Sequence, residues 1–212
     1  MEAAYGIIDY GMGNLKSIFN AVKALGKQAV MVKDPHTLSG VDAVILPGVG
    51  AFADGMANLN RSGMVHAMEK EVFDRKKPFL GICLGMQFLA DMSYEFGQCL
   101  GLGWINGAVE KIRVSDASFK IPHMGWNNVA IKHPGVLFQG VDPDPVFYFV
   151  HSFYLNPVDD AHITSTCYHG MDVTASVEKD HVFGVQFHPE KSLGAGLQVL
   201  NNFCGFVEKS HA

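Results

Sequence analysis

Basic residues are scarce in this sequence. The 16 lysines and arginines are outnumbered by 21 aspartates and glutamates, and the net charge is -5. The longest basic run is Arg75-Lys76-Lys77. Nucleic acids and anionic lipid surfaces attract proteins through clustered positive charge, which is missing here. The sequence therefore predicts no nucleic acid partner.

Long apolar runs are also missing. No stretch reaches the roughly 18 consecutive apolar residues that suggest a membrane span. Residues Met1 to Tyr5 lack the basic segment and the apolar run of a secretory signal. We therefore expect no membrane association and a cytoplasmic location.

Cysteine is rare, and the four cysteines are far apart: Cys83, Cys99, Cys167 and Cys204. None of them forms a C-x-x-C pair, so neither a disulfide framework nor a zinc site is indicated. The grouping of His162, Cys167 and His169 has the alternation of a strand rather than the spacing of metal ligands. We predict reduced thiols and no metal.

A nucleotide cofactor is not indicated either. Residues 11–17, which follow a predicted strand, begin with the Gly-x-Gly of a nucleotide loop. However, Lys16 stands where the dinucleotide motif needs its third glycine, and Leu15 stands where the phosphate loop needs glycine. We therefore predict no cofactor.

Apolar residues, by contrast, are plentiful. They make up 48% of the 212 residues, which is enough to bury one substantial core. We find no internal repeat and no interdomain linker, so residues 1–212 are expected to form a single domain.

The first half of the chain alternates strand-like and helix-like segments. Strands are predicted at residues 4–9, 28–32, 42–46 and 78–82. Helices are predicted at residues 14–25, 56–75 with a break at Gly63, and 84–92. Such alternation is typical of parallel βαβ units.

The second half changes character, with strand-like segments separated by turns. These strands are predicted at residues 108–114, 127–131, 146–151, 163–168, 173–177 and 182–187, followed by a helix at 195–207. The two halves together predict an α/β fold. We expect an open, doubly wound, flavodoxin-like mixed sheet with helices on both faces and additional antiparallel strands in the C-terminal half.

Gly81-Ile82-Cys83-Leu84-Gly85 has the G-x-nucleophile-x-G form of a nucleophile elbow. In an elbow, a tight strand-to-helix turn holds the nucleophile in a strained conformation, and the glycines relieve crowding. The start of the following helix would favour the thiolate of Cys83, while the N–H of Leu84 would face a developing oxyanion. Taken alone, the pentapeptide also fits a buried cysteine between two packing glycines.

His188-Pro189-Glu190 is the best candidate for a base and its orienting group. Side chains two residues apart on an extended segment share one side, so Glu190 can accept a hydrogen bond from His188. The other imidazole nitrogen would then face the cysteine sulfur, as in a catalytic triad. A lone His-Pro-Glu is more often a surface turn, and it gains its meaning from the elbow.

A glycine-rich loop, residues 46–52, follows the strand predicted at 42–46. Parallel neighbouring strands would bring this loop to the same sheet edge as the elbow. Gly48 and Gly50 allow a close backbone approach, and the N–H of Val49 or of Gly50 could donate to the oxyanion. An ordinary strand-to-helix turn is the alternative.

These three segments together resemble the class I, or triad, glutamine amidotransferases, over essentially the whole chain. The resemblance implies a glutaminase with Cys83 as the nucleophile, His188 as the acid and base, and Glu190 as the orienting group. It also implies a set of contacts to L-glutamine from Gly50, Gln87, Glu95, Ser152 and Phe153. At position 153 many relatives carry tyrosine, so a backbone contact survives there but a hydroxyl contact does not.

A finer resemblance is to the glutaminase subunits of imidazole glycerol phosphate synthases. It is carried by the segments at residues 9–14, 47–52, 83–87, 122–127, 148–153 and 186–192. It implies a heterodimer with a (β/α)₈-barrel cyclase subunit, which uses the ammonia to make imidazole glycerol phosphate and a carboxamide ribotide in histidine biosynthesis.

Four residues are expected at that partner interface. Met124 and Trp126 lie in a predicted aromatic and methionine-rich loop of the kind that seats interfaces. Lys191, next to the triad, could form a charged contact, and the finer resemblance adds Asn14. Core burial of the tryptophan and solvation of the lysine are the alternatives.

Two other functions remain open at this level. One is a stand-alone cysteine peptidase or deglycase on a similar elbow-bearing fold, which needs no partner. The other is a non-enzymatic pseudo-glutaminase that acts as a binding subunit, although the intact set of Cys83, His188 and Glu190 argues against it.

Overall fold

The structure, a computed structural model, describes residues 2–210. Its strands are β1 Ala4–Ile8, β2 Gln28–Val32, β3 Ala43–Gly48, β4 Phe79–Cys83, β5 Met92–Ser93, β6 Cys99–Leu100, β7 Gly107–Lys111, β8 His123–Asn128, β9 Ala130–Ile131, β10 Val146–His151, β11 Phe153–Pro157, β12 Ile163–Tyr168, β13 Asp172–Lys179 and β14 Val182–Val185. Its α-helices are α1 Leu15–Ala24, α2 Phe52–Arg61, α3 Met64–Glu69, α4 Leu84–Gln87 and α5 Leu193–Ser210.

The main sheet has eight strands in the order β2-β1-β3-β4-β14-β13-β12-β9. The strands from β2 to β14 are parallel, and β13, β12 and β9 continue the sheet in antiparallel fashion. With β14 counted as the fifth parallel strand, the order 2-1-3-4-5 is that of flavodoxin-like sheets. The predicted fold class is therefore confirmed, including the antiparallel strands from the second half of the chain.

Alternating side chains of the parallel strands point into two separate hydrophobic cores. Along β3, Ala43 and Ile45 belong to the core that also contains residues of α1 and α5. Val44 and Leu46 belong to the other core, with residues of α2, α3 and α4. This period of two buries both faces of the sheet and explains the near-continuous apolar sequences of these strands.

Two smaller sheets lie outside the main one. Strands β8 and β10 form an antiparallel two-stranded ribbon, and β11, β7, β5 and β6 form a four-stranded sheet. The ribbon is buried on the face that carries Phe147 and Phe149, and it is exposed on the face that carries Met124 and Trp126. Because only Ser152 separates β10 from β11, the ribbon and the four-stranded sheet meet at that residue.

The predicted helices differ from the observed ones in three places. The helix predicted at 84–92 is wrong beyond Gln87, because the chain turns back there and Leu89 N donates to Met86 O. The helix predicted at 56–75 begins earlier, at Phe52, whose N–H donates to the Glu95 carboxylate. It breaks at Gly63 as predicted, where the backbone is left-handed with φ +75°, and its last turn, Lys70–Asp74, is a π-helix. The final helix is longer than the predicted 195–207.

Strand predictions were accurate at 28–32, 146–151 and 163–168 and shifted elsewhere. The segment predicted at 127–131 is split between β8 and β9, so Met124 and Trp126 lie on a strand instead of a loop. The short strands β5 and β6 and the whole of β11 were missed. The strands predicted at 108–114 and 182–187 end early, at Lys111 and Val185.

That residues 1–212 form a single domain stays a prediction. No helix among residues 2–210 combines the length and the apolar character that a membrane crossing requires.

Candidate active site

Cys83 is the last residue of β4 and directly precedes α4. Its backbone has φ +56° and ψ -109°, a strained combination for a residue with a side chain. A Cβ at Gly81 would collide with the backbone of Gly85, and a Cβ at Gly85 would collide with the carbonyl of Leu46. The turn therefore has the geometry of a nucleophile elbow and requires both glycines.

The helix after the elbow is shorter than expected. It covers only Leu84–Gln87, so the macrodipole predicted to favour the Cys83 thiolate is that of a single turn. A second stabilising contact comes from a side chain that the sequence did not single out. The Gln186 amide donates from Nε2 to Cys83 Sγ at 3.6 Å.

His188 and Glu190 form a buried pair. Nδ1 of His188 lies 2.9 Å from Oε1 of Glu190, and their side chains are only 3% and 1% exposed. The pair meets as expected, although residues Pro189–Lys191 form a 3₁₀ turn in place of the extended segment assumed from the sequence. The backbone N–H of His188 is also anchored, on Tyr148 O at 2.9 Å.

The other imidazole nitrogen of His188 is left for Cys83. Nε2 is buried and forms no hydrogen bond among residues 2–210. Burial alone would lower the pKa of His188, but the interactions with Cys83 and Glu190 outweigh burial and raise that pKa to about 9. Cys83 and the imidazole thus interact electrostatically, although Nε2 and the sulfur form no hydrogen bond. Catalytic hydrogen bonds in unliganded sites are often loose in this way.

The glycine-rich loop reaches the same edge of the sheet. Gly48 ends β3 and is paired with Cys83, and the loop beyond it contains Val49 and Gly50. Gly50 has φ +106°, a left-handed backbone that glycine adopts without strain. Which of the two N–H groups, that of Val49 or of Gly50, serves as an oxyanion donor stays a prediction.

A cavity of about 450 Å³ opens above the nucleophile. It is lined by Val49, Gly50, Cys83, Leu84, Gln87, Glu95, Phe96, Pro122, Val150, His151, Ser152 and Phe153. The structure therefore brings every predicted oxyanion and glutamine-binding residue to one cavity, with the His188 and Glu190 pair outside its lining. Phe96, Pro122, Val150 and His151 also line it and were not predicted.

Two of the predicted glutamine contacts are already engaged within the protein. Gln87 donates from Nε2 to Phe153 O at 2.8 Å and to Gln186 Oε1 at 3.0 Å, so its amide oxygen is the group left for a ligand. Glu95 accepts the N–H of Phe52 at 2.7 Å through Oε2. Its other oxygen forms no hydrogen bond among residues 2–210, so it could accept from a ligand.

The predicted interface residues surround the same end of the molecule. Met124 and Trp126 are 62% and 50% exposed on the outer face of the β8–β10 ribbon. Lys191 lies over the Tyr148 ring of that ribbon, with Nζ 5.5 Å from the ring centroid. Asn14, partly buried before α1, accepts from Ser17 Oγ, and α1 and β10 both contact the 189–191 turn.

Of the side chains around the nucleophile, sequence reasoning missed Gln186 and His151. Gln186 stands two residues before His188 and is fully buried, and His151 is the last residue of β10. A signal for Gln186 did exist, since a glutamine in the middle of an apolar segment needs a polar partner. The position of His151 next to the cavity depends on the ribbon, which no local pattern defines.

Comparison with known proteins agrees with this geometry. The model of the family described as "Glutamine amidotransferase class-I" matches residues 6–205. "Imidazole glycerol phosphate synthase subunit HisH" of Moorella thermoacetica is 48% identical over 197 residues, covering 93% of this chain and 92% of that protein. The protein of the same name from Caulobacter vibrioides is 45% identical over 203 residues, covering 93% and 95%.

Solved structures show the same fold at lower identity. PurLQS from Thermotoga maritima aligns with a TM-score of 0.76 at 21% identity, covering 98% of this chain and all of that chain. A crystal structure of a glutamine amidotransferase aligns with a TM-score of 0.75 at 18% identity, covering 96% and 98%. The family model and the HisH relatives together show that this chain belongs to the class I glutamine amidotransferase family and, within it, to the HisH subunits.

Proposed function

We propose that this chain is the glutaminase subunit of an imidazole glycerol phosphate synthase, and that it releases ammonia from L-glutamine through a thioester on Cys83. The observation that carries the proposal is the strained Cys83 elbow in a cavity wall beside the buried His188–Glu190 pair. A thiol with a neighbouring oriented imidazole is the arrangement that acyl transfer by cysteine requires.

In the first half of the reaction, the sulfur of Cys83 attacks the side-chain carbonyl carbon of glutamine. The carbon–nitrogen bond then breaks, and His188 gives its proton to the departing ammonia, leaving a glutamyl thioester. The raised pKa of His188 fits this step, because the imidazole must be protonated when the amine leaves. Glu190 keeps the ring oriented and stabilises its positive charge.

In the second half, water attacks the thioester while His188 takes the proton of that water. The carbon–sulfur bond breaks and glutamate leaves, so the net reaction consumes one glutamine and one water and yields glutamate and ammonia. Both halves pass through an oxyanion. We assign its stabilisation to the N–H of Leu84 and to that of Val49 or Gly50.

The amino-acid end of glutamine fits the far side of the cavity. The amide oxygen of Gln87 and one oxygen of Glu95 remain as acceptors there, and both suit the ammonium group of the substrate. The backbone of Ser152 and Phe153 completes the wall. Because the contribution of Phe153 is from its backbone, the missing tyrosine hydroxyl does not weaken this assignment.

The partner is proposed to be a (β/α)₈-barrel cyclase subunit, seated on the exposed face of the ribbon with Met124 and Trp126. Lys191 lies over Tyr148 on this face, and Asn14 precedes α1, which contacts the same 189–191 turn as β10. The ammonia would pass directly to the cyclase, which makes imidazole glycerol phosphate and the carboxamide ribotide. The cytoplasm is the compartment that such a biosynthetic pathway implies.

The test is glutamine hydrolysis by the purified chain, with and without an imidazole glycerol phosphate synthase cyclase subunit and its ribonucleotide substrate. We expect the cyclase subunit to stimulate hydrolysis strongly. Cys83→Ala should show no hydrolysis, with or without the cyclase subunit. Hydrolysis that depends on Cys83 but ignores the cyclase would contradict the proposed partner. No hydrolysis in either case would contradict the whole proposal.

A further inference from the structure

Two buried histidines lie side by side beneath the exposed face of the ribbon. His123 and His151 are paired across β8 and β10 and are only 3% and 6% exposed. Their Nδ1 and Nε2 atoms, respectively, are 3.0 Å apart. Phe147 and Phe149 lie on the same buried face of the ribbon, and His123 stacks on Phe149. Neither histidine belongs to the triad, so their buried polarity needs an explanation of its own.

The hydrogen bonds continue from this pair in both directions. On one side, Asn127 Nδ2 lies 3.1 Å from His123 Nε2 and also donates to Tyr168 O at 2.9 Å. On the other side, His151 Nδ1 lies 2.9 Å from Phe153 O. The result is one chain of hydrogen bonds, which begins at the carbonyl of Tyr168 and ends at the carbonyl of Phe153.

The two carbonyl ends determine where every proton in the chain lies. A carbonyl only accepts, so Asn127 must direct its NH₂ group to Tyr168 O, and the second proton of that group points to His123 Nε2. Nε2 of His123 is then the acceptor and Nδ1 the donor. His123 Nδ1–H donates to His151 Nε2, and His151 Nδ1–H donates to Phe153 O. Both rings must be neutral, in the Nδ1–H form.

The electrostatics of the cluster agree with this assignment. Burial lowers the pKa of His123 to about 4, with a further contribution from His169. Burial likewise lowers the pKa of His151 to about 3, against the opposing effect of its hydrogen bond to Phe153. Both imidazoles are therefore uncharged at neutral pH.

Phe153 O is where this chain meets the active site. The same carbonyl accepts from Gln87 Nε2 at 2.8 Å. With its nitrogen held there, Gln87 also donates to Gln186 Oε1 at 3.0 Å. That contact turns the nitrogen of Gln186 towards Cys83 Sγ, at 3.6 Å. Phe153 O thus determines the orientation of both amides. The nitrogen of Gln87 faces Gln186, and the nitrogen of Gln186 faces Cys83.

We propose that His151 is a positioning residue for glutamine hydrolysis. In its neutral Nδ1–H form, set by His123 and Asn127, it holds the Phe153 carbonyl and so aims the Gln186 amide donor at the sulfur of Cys83. The inference rests on the proposed function. A donor aimed at the sulfur stabilises the thiolate that attacks the substrate, because a hydrogen bond to a charged form favours that form.

The kinetic test compares three variants of the chain in its complex with the cyclase subunit. His151→Leu removes the donor, and we expect kcat for glutamine hydrolysis to fall roughly 10- to 100-fold, since small displacements of catalytic groups cost up to about 100-fold. His151→Asn places an amide N–H where Nδ1 stood and should restore most of the lost kcat. His169→Phe is the matched control: it keeps a ring stacked on His123 and makes none of the hydrogen bonds that link Asn127, His123 and His151, so it should have the wild-type kcat.

The outcomes for these variants separate positioning from packing. Packing alone would make His151→Asn as poor as His151→Leu, and that result would overturn the inference. A change confined to KM for the leucine variant would also overturn it. If the wild-type complex hydrolyses glutamine through Cys83 while His151→Leu is unimpaired, the inference fails and the proposed function stands. No hydrolysis by the wild-type complex would instead remove the proposed function.

A spectroscopic test does not depend on activity or on the folding of any variant. In ¹⁵N-labelled protein at neutral pH, the imidazole nitrogen shifts of both His123 and His151 should show a protonated Nδ1 and an unprotonated Nε2. A protonated Nε2 on either ring would contradict the proton positions and with them the inference.

Discussion

Gly48 lies directly opposite Cys83 where the parallel strands β3 and β4 end together. This pairing joins the two halves of the candidate site, because Cys83 is the last residue of β4 and the glycine-rich loop leaves the end of β3. The backbones approach closely here. A Cβ on Gly48 would lie 2.6 Å from the Tyr10 hydroxyl and 2.8 Å from the Leu84 Cβ.

Gly48→Ala should therefore reduce both stability and activity. Overpacking at a site that cannot relax costs about 1–3 kcal/mol, and the displaced Leu84 is a proposed oxyanion donor. Urea denaturation and the rate of glutamine hydrolysis measure the two effects. Gly205→Ala is the control: it lies in α5, where the added Cβ would meet nothing within 4 Å apart from its chain neighbours and the backbone of its own helix, and it should stabilise by up to about 1 kcal/mol. A Gly48→Ala protein of wild-type stability would refute the close approach.

His188→Asn should lower kcat for glutamine hydrolysis about 100- to 10,000-fold, the usual cost of losing a general acid and base. Glu190→Gln should have a milder effect, because that residue orients the imidazole without exchanging the proton. Steady-state kinetics of the complex decide the point. A His188→Asn variant that retains near-normal turnover would remove the role assigned to this residue.

Stability should depend on pH through His188. Its pKa is raised in the folded chain, from an ordinary value near 6.5 to about 9. A raised pKa means that the folded state binds the proton more tightly, so the contribution to stability is complete below pH 6.5 and is lost as pH rises through about 9. The urea midpoint should therefore be lower at pH 9.5 than at pH 6. This difference should be smaller in Glu190→Gln. An equal loss in both proteins would show that the Glu190 carboxylate does not sustain the shift.

Trp126→Ala should weaken binding to the cyclase subunit without unfolding the chain. Buried tryptophan anchors at interfaces are commonly worth 2 kcal/mol or more, which is about 30-fold in Kd. Val158→Ala is a matched surface control, since Val158 is 82% exposed and follows β11 at the end remote from Phe153. Calorimetric titration with the cyclase gives both constants. Equal Kd values for the two variants would remove Trp126 from the proposed interface.

The sequence predicted the architecture well because period-two burial is a local property. The strands at 28–32, 146–151 and 163–168 were located to the residue. The elbow was also visible, since its strain demands glycines at fixed spacing. The motif at 188–190 could be paired with it because strand order brings distant chain segments to one sheet edge.

Features that depend on distant contacts were not predictable. The start of α2 at Phe52 is capped by Glu95, which lies 43 residues away in the chain. Helix α4 ends after Gln87 because the chain turns into β5 and the four-stranded sheet, an arrangement that local propensity does not encode. The part played by His151 likewise appears only once β8 and β10 are paired.

The most direct test of the account is capture of the glutamyl thioester. The complex with the cyclase subunit is mixed with glutamine, quenched in acid within one turnover, digested and examined by mass spectrometry. We predict a glutamyl group on the peptide that carries Cys83, absent from Cys83→Ala. Hydrolysis of glutamine with no adduct on Cys83, or with the adduct on another residue, would contradict the central claim.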